Sequence, residues 1–277
     1  MYRFVQQNDF FVPPPFGRGN KDTGTRRMRL DAEFINLTAD NLVGEHLCCI
    51  IRSKKLHLGV EEKRRWLSER LAEGHVFRKL NDKATVMIEY APLETAWVPV
   101  TGENYIYLYC LWVSGVHKGK GYGKALMEYC LADARAKNKS GVCMLGAKHQ
   151  KSWLSDQSFA KKYGFEAIDA AGDYELLALS FDGTMPRFTD SAKKQEIESK
   201  ELTIYYSAQC PFISGKLEKI RAYCQSEGVP ASFIPVDTLQ KAKELPCVFN
   251  NWALFYQGKL ETVNLVDVGY VKKLLDK

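Results

Sequence analysis

Between Leu108 and Lys137 the chain reads LYCLWVSGVHKGKGYGKALMEYCLADARAK. An apolar run of strand character gives way to alternating lysine and glycine, and then to a helical pattern. Leu126, Met127, Cys130, Leu131 and Ala134 share one face of that helix, while Lys124, Glu128, Arg135 and Lys137 lie off it. A strand, a glycine loop and an amphipathic helix in this order point to an α/β class of fold. They also leave bare backbone and positive charge at a helix N-terminus, which suits an anion. Successive N–H groups and the helix dipole attract it, and glycine removes the Cβ that would hold it off. Two phosphate-binding signatures fail here. The G-x-x-x-x-G-K-[S/T] spacing is met in no register, and a G-x-G-x-x-G reading puts Lys124 at the third glycine.

A third pattern fits. Lys118-Gly119-Lys120-Gly121-Tyr122-Gly123 resembles the [Q/R]-x-x-G-x-[G/A] loop of the GNAT N-acetyltransferases, with lysine in the Gln/Arg place. Lys161–Glu166 (KKYGFE) resembles that family's later helix, which ends in Gly-Phe before a strand. The resemblance implies an α/β (α+β) fold, a mixed sheet flanked by helices, with acetyl-CoA as the acetyl donor. It implies main-chain hydrogen bonds to the pantetheine arm from Leu111 and Val113, on either side of Trp112. The pyrophosphate would lie along Lys118, Gly119, Lys120, Gly121, Tyr122, Gly123 and Lys124, and Ser155 and Phe159 would flank the thiol end.

Acetyl transfer to an amine needs a proton acceptor for the amine and a donor for the departing thiolate. Glu89, inside the apolar run ATVMIEYAP, has two readings. It is a general base whose pKa desolvation raises towards neutrality, or an outward-facing residue on an alternating strand. His149, just past the apolar strand GVCMLGA, is a second candidate base or a surface histidine. Many members of the resembled family carry a tyrosine four residues before the Gly of Gly-Phe; here that position is Ala160. The nearest phenol, Tyr163, is the candidate acid, displaced by one helical turn. Tyr105, Tyr107 and Tyr109 alternate with apolar residues and read as one face of a core strand.

Four segments divide the chain. Residues 1–31, with three successive prolines and no periodicity, read as an irregular arm. Residues 32–182 carry the motifs above, with strands at 32–38, 75–80, 84–92, 96–100, 104–113, 141–147 and 174–181. Helices are expected at 40–52, after a Thr38 N-cap, and at 60–74. Residues 183–200 are polar, with Gly and Pro, and read as a linker. Residues 201–277 alternate strand and helix as β-α-β-α-β-β-α and resemble a small thioredoxin-like domain, with Pro246 in the place of that fold's cis-proline. Only one cysteine of the dithiol motif remains, Cys210-Pro211 at a strand-to-helix junction. A thiol at a helix N-terminus is expected to be acidified, and Cys247 beside Pro246 is a candidate partner for it in a redox role; the other reading is a degenerate thioredoxin-like module that serves packing or recognition. FINLT near the start, CLWVSG before the loop and YYS-x-x-CPF in the last segment together resemble the bacterial YoaP-like acetyltransferases, over residues 32–277.

A net charge of +6 with lysines spread along the chain shows no nucleic-acid tail, and the N-terminus has no apolar stretch long enough to be expected to act as a signal peptide or a membrane span. The eight cysteines include no C-x-x-C pair, so neither a metal set nor a disulfide framework is indicated, and a reducing cytoplasmic setting is expected. The reading is an N-acetyltransferase acting on a small-molecule or peptide amine, with a homodimer compatible with it. Two other readings remain open: a thiol-redox protein acting through Cys210 with an acyl-CoA-sensing domain, and a non-catalytic acyl-CoA-binding interaction protein.

Overall fold

The computed structural model describes residues 33–49, 58–82 and 85–276. The arm expected over 1–31 lies outside them. The apolar alternation of 105–113 forms β5 (Tyr105–Val113), the strand about which the rest is organised. It lies fourth in a seven-stranded mixed sheet of order β1-β2-β3-β5-β6-β8-β7. The other strands are β1 (Phe34–Asn36), β2 (Val76–Leu80), β3 (Val86–Pro92), β6 (Gly141–Ala147), β7 (Glu166–Ala171) and β8 (Tyr174–Ser180). Neighbours are antiparallel except β5 and β6, which are parallel and joined by helix α2 (Tyr122–Ala136). Leu126, Met127, Cys130, Leu131 and Ala134 are the buried stripe of α2, as the helical spacing requires.

Two features of β5 shape the site. Its register against β3 slips between Glu89 and Tyr90, so Cys110 faces Glu89 and Leu108 faces Tyr90, leaving Tyr109 unpaired in a bulge. The extra residue puts Tyr109 and Cys110 on the same face of the sheet. Tyr105, Tyr107 and Tyr109 are buried there, while Ile106 and Leu108 pack towards α2. Second, β5 pairs with β6 only from Tyr105 to Tyr107, opposite Gly141 to Cys143. Beyond that the two strands part.

A second sheet, of order β11-β10-β12-β13, follows in the C-terminal part. It comprises β10 (Leu202–Tyr206), β11 (Ala231–Pro235), β12 (Trp252–Tyr256) and β13 (Lys259–Thr262). β10 and β11 are parallel, and the other pairs antiparallel. Helices α5 (Phe212–Ser226) and α7 (Val268–Leu275) cover one face, where Ile204, Ile213, Leu217, Ile220, Trp252 and Leu254 form a core. The opposite face does not meet water. Ala253 and Phe255, together with Val248 and Phe249, join Tyr105, Tyr107 and Tyr109 of the main sheet in one hydrophobic cluster. The described residues are accordingly one compact unit.

Several expectations are corrected. No helix forms over 40–49: the chain makes a single turn, Leu42 N–H to Thr38 O at 3.0 Å, and the next hydrogen bond, Gly44 N–H to Asn41 O, closes a shorter turn. Leu42 and Leu47 bury themselves from an irregular segment instead. Residues 50–52 of that expected helix lie outside the described ones. The strand expected over 96–100 shrinks to β4 (Val100–Thr101), since Ala96–Pro99 turn. The segment 183–200 is not a bare linker. It holds β9 (Arg187–Phe188), paired with β4, and α4 (Asp190–Lys194), capped by Thr189, with Phe188 and Ala192 fully buried. Its two anchors are single residues, too sparse for a periodic signal. Helix α1 (Leu58–Leu71), short helix α3 (Gln157–Lys161) and α6 (Leu239–Lys243) complete the described elements. Among the described residues no peptide bond is cis, so Pro246 does not take the cis form that the resemblance implied.

Candidate active site

Where β5 and β6 part, a cavity of about 570 Å³ opens on the α2 side of the sheet. Its walls are the outer half of β5 (Leu108, Leu111, Trp112, Val113), the glycine loop and first turn of α2, Met144 of β6, and Ser155, Phe159 and Ala160 around α3. Gly119 and Gly121 have φ of +75° and +82°, the left-handed region that a side chain occupies at a cost. Gly121 is the N-cap of α2 and carries no side-chain cap, so the helix presents its first N–H groups to the cavity. Of the loop residues singled out in the sequence, Lys118, Gly119, Gly121, Tyr122, Gly123 and Lys124 line the cavity; Lys120 does not. His117 is a lining residue that the sequence reading missed. It packs against the Tyr122 ring (5.7 Å), and its Nδ1 has no hydrogen-bond partner.

Ser155 is held in place by its own loop. Gln150 accepts from the Gln157 N–H and donates to the carbonyls of Lys151, Leu154 and Ser155, and Gln157 Oε1 accepts from Ala147 N–H at the end of β6 (2.8 Å). Asp156 caps α3 through the N–H groups of Ser158 and Phe159. So fixed, Ser155 Oγ accepts the Leu111 N–H at 3.1 Å. That donor is one the sequence resemblance assigned to pantetheine. Tyr163, the candidate acid, is not among the lining residues: it packs against Phe159 (5.2 Å) on the core side. His149 is exposed.

On the opposite face of β5 lies a smaller pocket, about 60 Å³. Cys48, Cys49, Lys63, Glu89, Tyr109, Cys110 and Trp153 contribute to it, and the C-terminal part supplies Gln209, Cys210, Pro211, Asn250 and Asn251. A crevice too tight for a water molecule shares lining residues with both spaces: Leu108, Met144 and Ser155 with the cavity, Tyr109 and Asn250 with the pocket.

Glu89 is buried, which excludes the outward-facing reading, but it is no free base. Lys63 Nζ donates to both carboxylate oxygens (2.8 and 2.7 Å), His75 Nε2 lies 3.0 Å from one, and Gln209 Nε2 donates to the other at 2.9 Å. Burial alone pushes this carboxyl up, but the Lys63 charge and the hydrogen bonds outweigh it and hold the group below the usual carboxylate range. The expected rise towards neutrality is therefore overturned by partners that sit far away in sequence. Burial pushes His75 below the usual imidazole value in spite of Glu89.

Cys210 is also corrected. Although it precedes α5, burial pushes its thiol up to about 12 rather than down. Cys247 lies in the core at 0% exposure and lines no part of this pocket. The thiols that share the pocket with Cys210 are Cys48, Cys49 and Cys110. Lys63, His75, Gln209, Asn250 and Asn251 were missed in the sequence. Only the last two left a signal, a pair of amides interrupting the apolar run CVFNNWALFY.

Residues 43–165 match the Acetyltransferase (GNAT) family, and residues 230–275 match the YoaP-like family. The chain is 36% identical over 246 residues to a Bacillus subtilis (strain 168) protein described as an uncharacterized N-acetyltransferase, YoaP, covering 88% of this chain and 98% of the relative. Similar solved structures include a GNAT acetyltransferase of Brucella melitensis in complex with acetyl-CoA (15% identity, 58% of this chain and 94% of that one, TM-score 0.37). Another is the PaiA N-acetyltransferase of Thermoplasma acidophilum in complex with coenzyme A (15% identity, 55% and 99%, TM-score 0.39). The chain belongs to the GNAT family of acetyltransferases, in its YoaP-like branch, and transfers acetyl groups from acetyl-CoA to amines.

Proposed function

We propose that the acceptor is a slender primary amine, entering in its neutral form from the face covered by the C-terminal part, while acetyl-CoA is held on the α2 face. The observation that carries this reading is the crevice where β5 and β6 part, whose lining residues border both the large cavity beside the glycine loop and the small pocket on the other face, so that a small opening of the strands would connect them. The loop residues Lys118, Gly119, Gly121, Tyr122, Gly123 and Lys124 bind the pyrophosphate by N–H groups, helix dipole and countercharge. Main-chain groups of Leu111 and Val113 bind the pantetheine arm, with Ser155 as the exchangeable partner of the Leu111 N–H. Phe159 packs beside the thiol end, and the Ser155 hydroxyl donates its proton to the departing sulfur in place of the absent tyrosine while taking up the proton that the attacking amine loses, so that it ends the step unchanged.

The acceptor pocket argues for a neutral amine. The carboxylate among its lining residues, Glu89, is matched by the Lys63 ammonium, so no unpaired negative charge favours an ammonium ion there. Glu89 then organises the pocket rather than abstracting a proton. We assign the C-terminal part, whose strand order β11-β10-β12-β13 supports a thioredoxin-like topology, the role of acceptor-pocket wall through Gln209, Asn250 and Asn251. A cytoplasmic setting accords with eight free thiols.

Calorimetric titration of acetyl-CoA into the wild-type chain and a Gly121→Glu variant tests the donor side, followed by mass-spectrometric detection of acetylated products across a panel of small and peptide amines. Saturable binding that the variant loses, with turnover of slender primary amines, is the expected result. A folded wild-type chain that binds no acetyl-CoA, or one that acetylates only bulky or strongly cationic acceptors, overturns it.

A further inference from the structure

Five of the eight cysteines are buried; the three that are partly open, Cys49, Cys110 and Cys210, all face the acceptor pocket, where Cys48 joins them. Four thiols from three distant parts of the chain thus meet in one small space. Packing alone explains the buried thiols, since a free cysteine behaves as a small hydrophobe. It does not explain why the open ones gather at one place. Cys48, Cys49 and Cys110 border the same pocket of about 60 Å³, with the Cys48 and Cys49 sulfurs 3.9 Å apart. Among the described residues no such group is arranged to hold a metal ion.

We infer that Cys49 and Cys110 are a modifiable dithiol which a hydroperoxide converts to a disulfide, closing the acceptor pocket and stopping transfer while acetyl-CoA still binds. That the closure stops transfer rests on the acceptor reading above. The pair is set by geometry. Cys110 is anchored on β5 opposite Glu89, whereas Cys49 lies in a segment without helix or strand, so no ladder or helical hydrogen bond fixes it away from Cys110 across their shared pocket. Cys48 and Cys49 are adjacent, so a bridge between them would have to close a cramped eight-membered ring. Cys110 precedes Leu111, whose N–H and side chain face the donor cavity, so the cross-link forms on the acceptor side of the strand only.

The chemistry balances without a metal. The Cys49 thiol is pushed up by its neighbour Cys110 and by burial, so the Cys110 sulfur attacks the peroxide: an S–O bond forms, the O–O bond breaks, and water leaves, giving a sulfenic acid. The second sulfur attacks the first: an S–S bond forms, the S–O bond breaks, and a second water leaves. Two thiols lose two protons and two electrons, and hydrogen peroxide takes up all four. A cellular thiol reverses the bridge by exchange.

The test treats the reduced full-length protein with stoichiometric hydrogen peroxide and follows three readouts. Peptide mass mapping should show Cys49 joined to Cys110 with loss of two hydrogen atoms. Alkylation of Cys210 by iodoacetamide, which approaches through the same pocket, should slow by about tenfold or more, and amine acetylation should fall by a similar factor, both recovering with dithiothreitol. Acetyl-CoA affinity, measured by calorimetry, should change less than about twofold. Cys49→Ser and Cys110→Ser variants should each keep, after peroxide, the rate they had before it. A bridge between other cysteines, no bridge at all, or a bridged protein with unchanged alkylation of Cys210 overturns the inference. A reduced protein that acetylates no amine overturns the proposed function instead, and the mapping and alkylation readouts still decide the dithiol.

Discussion

Asn250, in the C-terminal part, accepts a hydrogen bond from the Tyr107 hydroxyl on β5 at 3.1 Å, across 143 residues of chain. Its side-chain nitrogen lies 3.4 Å from the Tyr109 carbonyl in the bulge. One amide therefore fastens the second sheet to the strand that divides donor from acceptor, in the lining of the crevice between β5 and β6. Asn250→Ala is expected to lower kcat/KM for the amine by about ten- to a hundredfold, as small misplacements of reacting groups do. Acetyl-CoA affinity should be unchanged by calorimetry. A variant with altered donor affinity and intact kcat would remove Asn250 from the acceptor side.

The Glu89 network makes a stability prediction. Glu89→Gln leaves Lys63 buried without its counter-charge, and breaking one partner of such a pair costs about 3–5 kcal/mol. Denaturant unfolding should show that loss in the single variant and recovery of most of it in Glu89→Gln/Lys63→Met, where no uncompensated charge remains.

The same network sets the pH profile. Because the Glu89 carboxyl lies below the usual range, it stays ionised through neutrality and contributes no titration between pH 6 and 9. The rate should instead rise with pH until the acceptor amine is neutral, so profiles for two amines of different basicity should shift by their pKa difference. A limb common to both amines would point to an enzyme group.

Lys243 on α6 donates to the carbonyls of Leu93 (2.8 Å) and Val100 (3.0 Å), and burial lowers its pKa to about 8. At this site the unfolded chain then binds more protons than the folded one between pH 8 and 10.5, so the contribution of Lys243 to stability rises as pH increases through that window. Guanidine unfolding at pH 7.5 and 10 should show the wild type gaining stability relative to Lys243→Met, a difference that cancels the opposite effect of the buried cysteines common to both chains.

Glycines in the loop should differ in tolerance. A Cβ on Gly123 would meet Phe159, Val113 and Leu111 at 3.5–3.9 Å, ordinary contact, so Gly123→Ala should bind acetyl-CoA within a few-fold of wild type. Gly121→Ala forces a side chain into φ +82° at the helix cap and should cost about 1 kcal/mol or more of stability with weaker binding. Parallel melting curves and titrations separate the two.

Local pattern was enough for part of this protein. The apolar run of β5, the glycines at 119 and 121 and the stripe from Leu126 to Ala134 are contiguous, so the strand, anion loop and helix of the donor cavity are written in neighbouring residues. The strand and helix order after residue 201 was readable for the same reason. The acceptor side was not. Glu89 was noticed as a carboxylate in an apolar strand, but the direction of its pKa depended on Lys63 and His75, which two other segments bring to it. Cys210 looked acidified because the sequence shows a helix N-terminus and does not show burial; desolvation won. Phe188 and Ala192 hold a segment that reads as linker, because two buried side chains make an anchor without making a period. Residues within one turn or one strand announce themselves through spacing. The dielectric around a group, and the company that distant loops give it, exist only once the two sheets have closed on each other.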